Sequence, residues 1–211
     1  MEYGDYIALL QGAVITIGLS LAAIALGMPL GLLLALVRWR RLPVLNGVVA
    51  AYVSLMRAAP AVTLGLLLYF SLPEIGISLD PVTAGIVTLT LSTSAFNCEI
   101  WRGALMAFPK DQIEAAMSVG MRSSLRFRRI VLPQITRAAL PALVSEMTML
   151  VKVSPAIAVL GVVDITRAAV RIGAQTYEPL PPFAAALVLY SALVAVFVVA
   201  QRLVERRRLL A

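Results

Sequence analysis

Histidine is missing from all 211 residues, and Cys98 is the single cysteine. The first absence removes imidazole proton shuttles and imidazole metal ligands, and the second removes disulfide frameworks and thiolate metal sites. Cys98 itself lies in an apolar stretch and reads as a packing residue. Charged side chains make up only 14% of the chain and aromatics 7%, too little charge to coat a domain that faces water on all sides. No Gly-x-x-x-x-Gly-Lys-Ser/Thr run occurs, so the residues offer no phosphate-cradling loop for nucleotide hydrolysis. Paired acids and a nucleophile beside a base are also missing, which leaves a membrane-embedded enzyme without machinery. A secondary transporter is the other rival class, and it normally carries more spans and an inverted repeat.

Apolar residues, by contrast, reach 61%, and the mean hydropathy is +0.93. Five segments are read as long and apolar enough to span a bilayer: Ile7 to Val37, Leu45 to Leu72, Val82 to Trp101, Ala138 to Val162 and Phe183 to Leu203. About twenty residues are needed for each crossing. The expected fold is therefore all-α and polytopic, a single membrane domain over 1–211. The opening residues Met1, Glu2, Tyr3, Gly4 and Asp5 lack a basic start, so the first span is expected to be retained rather than cleaved.

An odd number of spans puts the termini on opposite sides, and the basic residues choose which is which. Arg38, Arg40 and Arg41 follow span one, seven basic residues lie from Arg102 to Arg137, and Arg202 and Arg206 to Arg208 follow span five. That places fourteen of the eighteen basic residues on one face, which is read as cytoplasmic, with the N-terminus outside and the C-terminus inside. The net charge of +7 and pI near 10.2 are thereby explained as topology signals. No aromatic or recognition-helix pattern accompanies them, so nucleic acid is not an expected partner.

Span two is interrupted at Arg57 and Pro60. Proline removes a helix hydrogen bond and clashes with the preceding turn, which predicts two pieces, Leu45 to Ala58 and Ala61 to Leu72. Arg57 then either snorkels to the cytoplasmic surface or faces the bundle interior. Gly27, Gly31 and Ala35 form a small-residue stripe at four-residue spacing, suited to close helix packing.

The segment from Trp101 to Arg137 is long for a simple connection and reads as ordered helix. Asp111 is expected to cap a helix over Gln112 to Val119, with Glu114 at its third position and Gly120 as its stop. Ile113, Ala116, Met117 and Gly120 share one face, a shallow apolar surface suited to a groove on another protein. Ser123 is expected to cap a second helix carrying Arg126, Arg128 and Arg129 and ending near Leu132, Pro133 and Gln134. On these grounds alone, a solvated amphipathic loop with topogenic arginines explains the segment equally well.

The residues themselves narrow that choice. Glu114-Ala115-Ala116, then Gly120, Ile130, Leu132 and Pro133 at their spacing resemble the EAA loop of permease subunits of binding-protein-dependent ABC importers. The likeness runs along most of the chain. Tyr52 to Pro60, Leu68 to Pro73, Glu99-Ile100-Trp101-Arg102-Gly103 and Ile165-Thr166-Arg167 each resemble stretches of the branch that carries polar amino acids. Two departures stand out: Ala58 and Ala59 replace a usual Gly-Thr, and Lys152-Val153-Ser154-Pro155-Ala156 replaces a usual Lys-Asp-Thr-Ser-Leu.

The resemblance implies a type I ABC importer permease fold in the bacterial cytoplasmic (inner) membrane, carrying amino acids or related small polar solutes. It implies that the EAA helix seats in the ATPase, with two ATP-binding subunits, a second permease copy or homologue, and an extracytoplasmic solute-binding protein as partners. ATP and magnesium then belong to the partner ATPase, and this chain binds no cofactor or metal.

Polar residues inside the bilayer supply the remaining expectations. An ionised side chain at mid-membrane costs roughly 2.5 to 3.5 kcal/mol or more, so such residues mark a pathway or a buried pair. Arg57, Asn97, Glu146, Lys152 and Ser154 are the candidates for the translocation path. Glu146 and Lys152 are six apart and cannot stack on one helix face, so each needs a partner elsewhere. Glu99 and Arg102 are three apart and suit a local ion pair. On the outer segment from Val162 to Pro182, Asp164, Arg167 and Arg171 are the candidates for contact with a solute-binding protein.

Overall fold

The computed structural model describes residues 1–41 and 43–209, without the side chains of Ala200 and 203–209. The C-terminal arginines Arg206 to Arg208, part of the topology argument, fall outside the described side chains. Every regular element among the described residues is helical: α1 (Tyr3–Trp39), α2 (Pro43–Ala58), α3 (Ala61–Ser71), α4 (Pro81–Met106), α5 (Lys110–Ser118), α6 (Ser123–Arg126), α7 (Leu132–Val153), α8 (Ile165–Thr176) and α9 (Leu180–Leu209). Short 3₁₀ segments follow α3 and α7, and a π turn, Phe127–Val131, joins α6 to α7.

Among the described residues, three helical stretches are long and apolar enough to cross a bilayer: Tyr3–Trp39, Ser123–Leu160 and Leu180–Val199. The pair α2 and α3 adds a fourth only if its two pieces count together, and they meet at 111°. Pro60 forces that corner, sitting in extended backbone between them. The segment Val82 to Trp101, expected among the apolar spans, is helical and long enough but falls short of the others in apolarity. The reason is its position. Thr88, Thr93, Ser94 and Asn97 of α4 are buried against other helices, where hydroxyls bond within the helix, as Thr88 does to the Ala84 carbonyl at 2.7 Å. A helix sheathed by protein needs no lipid-matched surface.

Close packing of α1 on α4 organises the molecule. At Gly31 an added Cβ would stand 2.6 Å from Asn97 Cβ, 2.9 Å from the Ser94 carbonyl oxygen and 3.0 Å from the Cys98 nitrogen. Gly27 lies against Thr93 in the same way, and Ala35 and Cys98 are fully buried nearby. The small-residue stripe is therefore an intramolecular seam. Tyr52 ties α2 to the same helix, its hydroxyl donating to the Leu91 carbonyl at 3.0 Å and lying 2.7 Å from Ser94 Oγ.

Asp80 caps α4, accepting from the Val82 and Thr83 amides at 2.9 and 3.2 Å and from the Thr83 hydroxyl at 2.5 Å. These donors, the Thr83 hydroxyl foremost, hold its carboxyl below the usual range. A depressed carboxylate stabilises the fold above its unfolded pKa, and that contribution disappears as pH falls through the folded value. Protection of the Val82 and Thr83 amides against hydrogen exchange should thus weaken on acidification, and Asp80→Ala should remove that pH dependence. An unchanged pH profile in the variant would refute the cap.

Candidate functional site

The loop after α4 builds α5 from its own sequence. The helix opens at Lys110 with Pro109 as its cap residue, so Asp111 lies in the first turn and makes no side-chain cap. This corrects the expected start at Gln112: proline fixes its own backbone angle and needs no donor at a helix entry. The end is as the sequence implied. Gly120 has φ +72°, and its amide donates to the Met117 carbonyl at 2.9 Å while the Met121 amide donates to the Ala116 carbonyl at 3.1 Å. Those two bonds need a left-handed residue at Gly120, which glycine adopts without strain.

The apolar face of α5 is divided, a second correction: Ile113 and Ala116 turn inward, while Met117 and Gly120 stay exposed. Ile113 packs into the cluster of Leu105, Phe108, Val131 and Ile135, with Trp39 and Phe127 beside it, and Ala116 is buried. Burial against the ends of the chain's own spans removes more apolar surface from water than a wait for a partner would. Glu114, Ala115 and Ser118 remain exposed, with Met117 at 57% and Val119 at 76%. The Gln134 side-chain amide donates to Gln112 Oε1 at 2.7 Å, tying α5 to α7.

Beyond Gly120 the expected break near Pro133 does not occur, nor does Ser123 form a side-chain cap bond. The helix runs from Ser123 to Leu160 through the π turn. In that turn the Leu132 amide donates to the Phe127 carbonyl, five residues back. The widened turn accommodates Pro133, which lacks an amide and would clash with a regular preceding turn. Ile130 and Leu132 are half-buried and Pro133 is exposed.

At the same end of the bundle Glu99 bonds two arginines. Arg102 meets Glu99 Oε2 through Nε at 2.9 Å and Nη2 at 2.6 Å, the local pair the spacing suggested. Arg38, at the end of α1, takes the other oxygen. This partner is 61 residues away and leaves no local signal.

On one face of the bundle, α4 and α7 line an open cavity of about 260 Å³ with Ser92, Thr93, Phe96, Glu146 and the exposed Met149 and Val153 among its walls. Thr93 Oγ1 donates to Glu146 Oε1 at 3.3 Å, and Glu146 makes no salt bridge among the described residues. The Arg57 guanidinium lies 5.3 Å from the Phe96 ring centroid, a cation–π distance. The structure thus draws Arg57 and Glu146 to one region and adds Phe96, which no local pattern marks. Asn97 instead packs against Gly31 and donates to Thr93 Oγ1 at 3.4 Å. Ser154 is buried and donates to the Val151 carbonyl at 2.9 Å, and Lys152 is exposed with no ion pair among the described residues.

The segment after α7 holds α8, whose buried face is Ile165, Ala168, Ala169, Ile172 and Gly173. It packs on Leu9 and Ala13 of α1 and Ala186 of α9. Asp164 is only 1% exposed, accepting from the Arg167 amide at 2.8 Å and the Tyr190 hydroxyl at 3.0 Å. It anchors α8 and presents no surface to a docking protein, which corrects its expected role. Burial pushes its carboxyl above the usual range despite those donors. Arg167 is half-buried and Arg171 exposed.

Residues 27–209 match the family model described as the inner membrane component of binding-protein-dependent transport systems. The histidine/lysine/arginine/ornithine transport system permease protein HisQ of Salmonella typhimurium is 34% identical over 190 residues, covering 85% of this chain and 83% of its own. The arginine transport system permease protein ArtQ of Bacillus subtilis is 32% identical over 200 residues, covering 94% and 91%. A crystal structure of an amino acid ABC transporter with histidines superposes with a TM-score of 0.87 at 29% identity, covering 98% of this chain and 99% of that one.

Proposed function

This chain belongs to the family of inner membrane components of binding-protein-dependent transport systems, and we propose that it forms half of the solute path of an ATP-driven importer for an amino acid or a related small polar solute. It is a permease subunit and not an enzyme; in such importers ATP hydrolysis resides on a separate subunit. In this reading 1–211 is one membrane domain with five crossings, N-terminus outside and C-terminus inside. The corner at Pro60 makes α2 and α3 one broken span, and the fourteen basic residues on one face support the orientation. A second permease copy or homologue completes the path, two ATPases carrying ATP and magnesium sit beneath it, and a solute-binding protein delivers solute to the other face.

The observation that carries the proposal is how α5 is mounted. Its outer side, Glu114, Ala115, Met117 and Val119, is free for an ATPase groove, while its inner side is packed on the ends of α1, α4 and α7. The last two helices line the cavity that holds Glu146. A push on α5 therefore reaches the cavity walls through packed side chains and the Gln112–Gln134 bond rather than through a loose loop. Ala116 acts from within, by close packing, and Ile130, Leu132 and Pro133 set the helix that receives the motion. Arg57 and Glu146 are the path residues this geometry favours; Arg171 is the favoured contact for the binding protein, with Arg167 beside it.

Glu114→Lys reverses charge on the free side of α5, and Gly120→Val strains its stop by about 1 to 2 kcal/mol. Both variants should keep the folded chain yet lose at least half of solute-stimulated ATP hydrolysis after co-purification with the ATPase into lipid. Full stimulation in both would remove α5 from the transmission path.

A further inference from the structure

A cleft of about 630 Å³ opens between the end of α1 and the start of α5, with Arg38, Arg41, Arg102 and Lys110 among its walls and Trp39 and Met106 beside them. Among the described residues, Glu99 is the one acid bonded to this group, and it serves both Arg38 and Arg102. Four cations thus face a single carboxylate. Arg41 and Lys110 are exposed and make no ion pair among the described residues. The backbone turns at Arg41 through a left-handed conformation, φ 52°, directly after the long apolar helix ends. Met106 is 66% exposed.

We propose that this cleft binds the headgroup of an anionic phospholipid, its phosphate among the cations and its glycerol region against Trp39 and Met106. Excess positive charge with an aromatic and an apolar wall, at the end of a membrane-length helix, matches the chemistry of an acidic headgroup at the bilayer surface. A soluble protein fits less well, because the floor of the cleft is the buried Leu105 and Phe108 and the half-buried Ile113, behind the exposed Lys110 rather than on the outer side of α5. A neighbouring cavity of about 500 Å³ is also basic, through Arg122, Arg128 and Arg129, but among its lining residues Leu125 is the sole apolar wall. It offers charge without a place for a lipid's ester region.

The inference rests on the reading that α5 lies at a membrane surface, but not on coupling to an ATPase. The test uses the full chain alone, extracted from bilayers of phosphatidylglycerol and phosphatidylcholine, and counts retained lipids by native mass spectrometry. The intact chain should retain phosphatidylglycerol over phosphatidylcholine, and the double variant Arg41→Gln/Lys110→Gln should lower that retention by about thirtyfold, at roughly a factor of five per cation. Arg41→Lys/Lys110→Arg should restore it. Arg128→Gln/Arg129→Gln, which removes equal charge nearby, should leave it within about twofold. Equal loss in that control would reduce the effect to bulk charge and overturn the site. Displacement of the lipid by millimolar inorganic phosphate would overturn it in favour of a soluble-anion site, and undiminished retention in the double variant would overturn it outright. Because no ATPase is present, failure of α5 as a coupling element leaves each of these outcomes unchanged.

Discussion

Gly31→Leu is expected to prevent recovery of a folded, monodisperse chain. The first carbon of any side chain at this position would stand 2.6 Å from Asn97 Cβ and 2.9 to 3.0 Å from backbone atoms of Ser94 and Cys98. Two of those three neighbours are backbone, which no rotamer change can move, so α1 and α4 must separate. Overpacking of a rigid interior costs about 3 kcal/mol at its upper end, and here it opens the seam on which the other helices are hung. Gly18→Leu provides the control, since nothing lies within 4 Å of a Cβ there, and its stability should stay within about 0.5 kcal/mol of the parent. Size-exclusion profiles and thermal unfolding in one detergent read both variants. A Gly31→Leu chain as stable as the control would mean that the α1–α4 seam is looser than described.

Glu146→Gln should separate function from stability. The side chain keeps its shape and its acceptor oxygen for Thr93, but the cavity loses its carboxylate. Charge-assisted hydrogen bonds contribute about 1.5 to 3 kcal/mol, so loss of one to the solute should reduce uptake into vesicles about tenfold or more. Stability should hold or rise, because a half-buried carboxylate without a salt-bridge partner is costly to keep out of water. That combination distinguishes a path residue from a structural one, which would lose both together. Unchanged uptake would move the solute path away from the α4–α7 cavity.

Much of this was legible because the signals were local. Pro60 marks the corner between α2 and α3, since the lost amide and the steric clash act on adjacent residues. Gly120 marks the stop of α5 because a left-handed residue is needed there. Asp111 has cap chemistry and so points to a later start, whereas Pro109, two residues before it, opens the helix through its fixed backbone angle with no side-chain cap. The helix α8 also carries a local signal, Asp164 as its cap and Ile165, Ala168, Ala169, Ile172 and Gly173 at one-face spacing; only the surfaces of α1 and α9 that receive that face lie beyond local reach.

Sequence by itself determined the solvent, the helical class and the loop that resembles a coupling element, because hydropathy, proline, glycine and residue spacing act over one or two turns. Tertiary structure decided which side of α5 is free, that Asp164 is an anchor rather than a contact, that Glu99 bridges two arginines, and that Arg57, Phe96 and Glu146 converge. Those outcomes depend on the rotation of each helix against its neighbours. That rotation is set where small residues let backbones approach, at Gly27 and Gly31 against α4 and at Gly12, where a Cβ would stand 2.8 Å from the Asp164 backbone. A residue's neighbours across such a seam are dozens of positions away in the chain, so no local pattern can announce them.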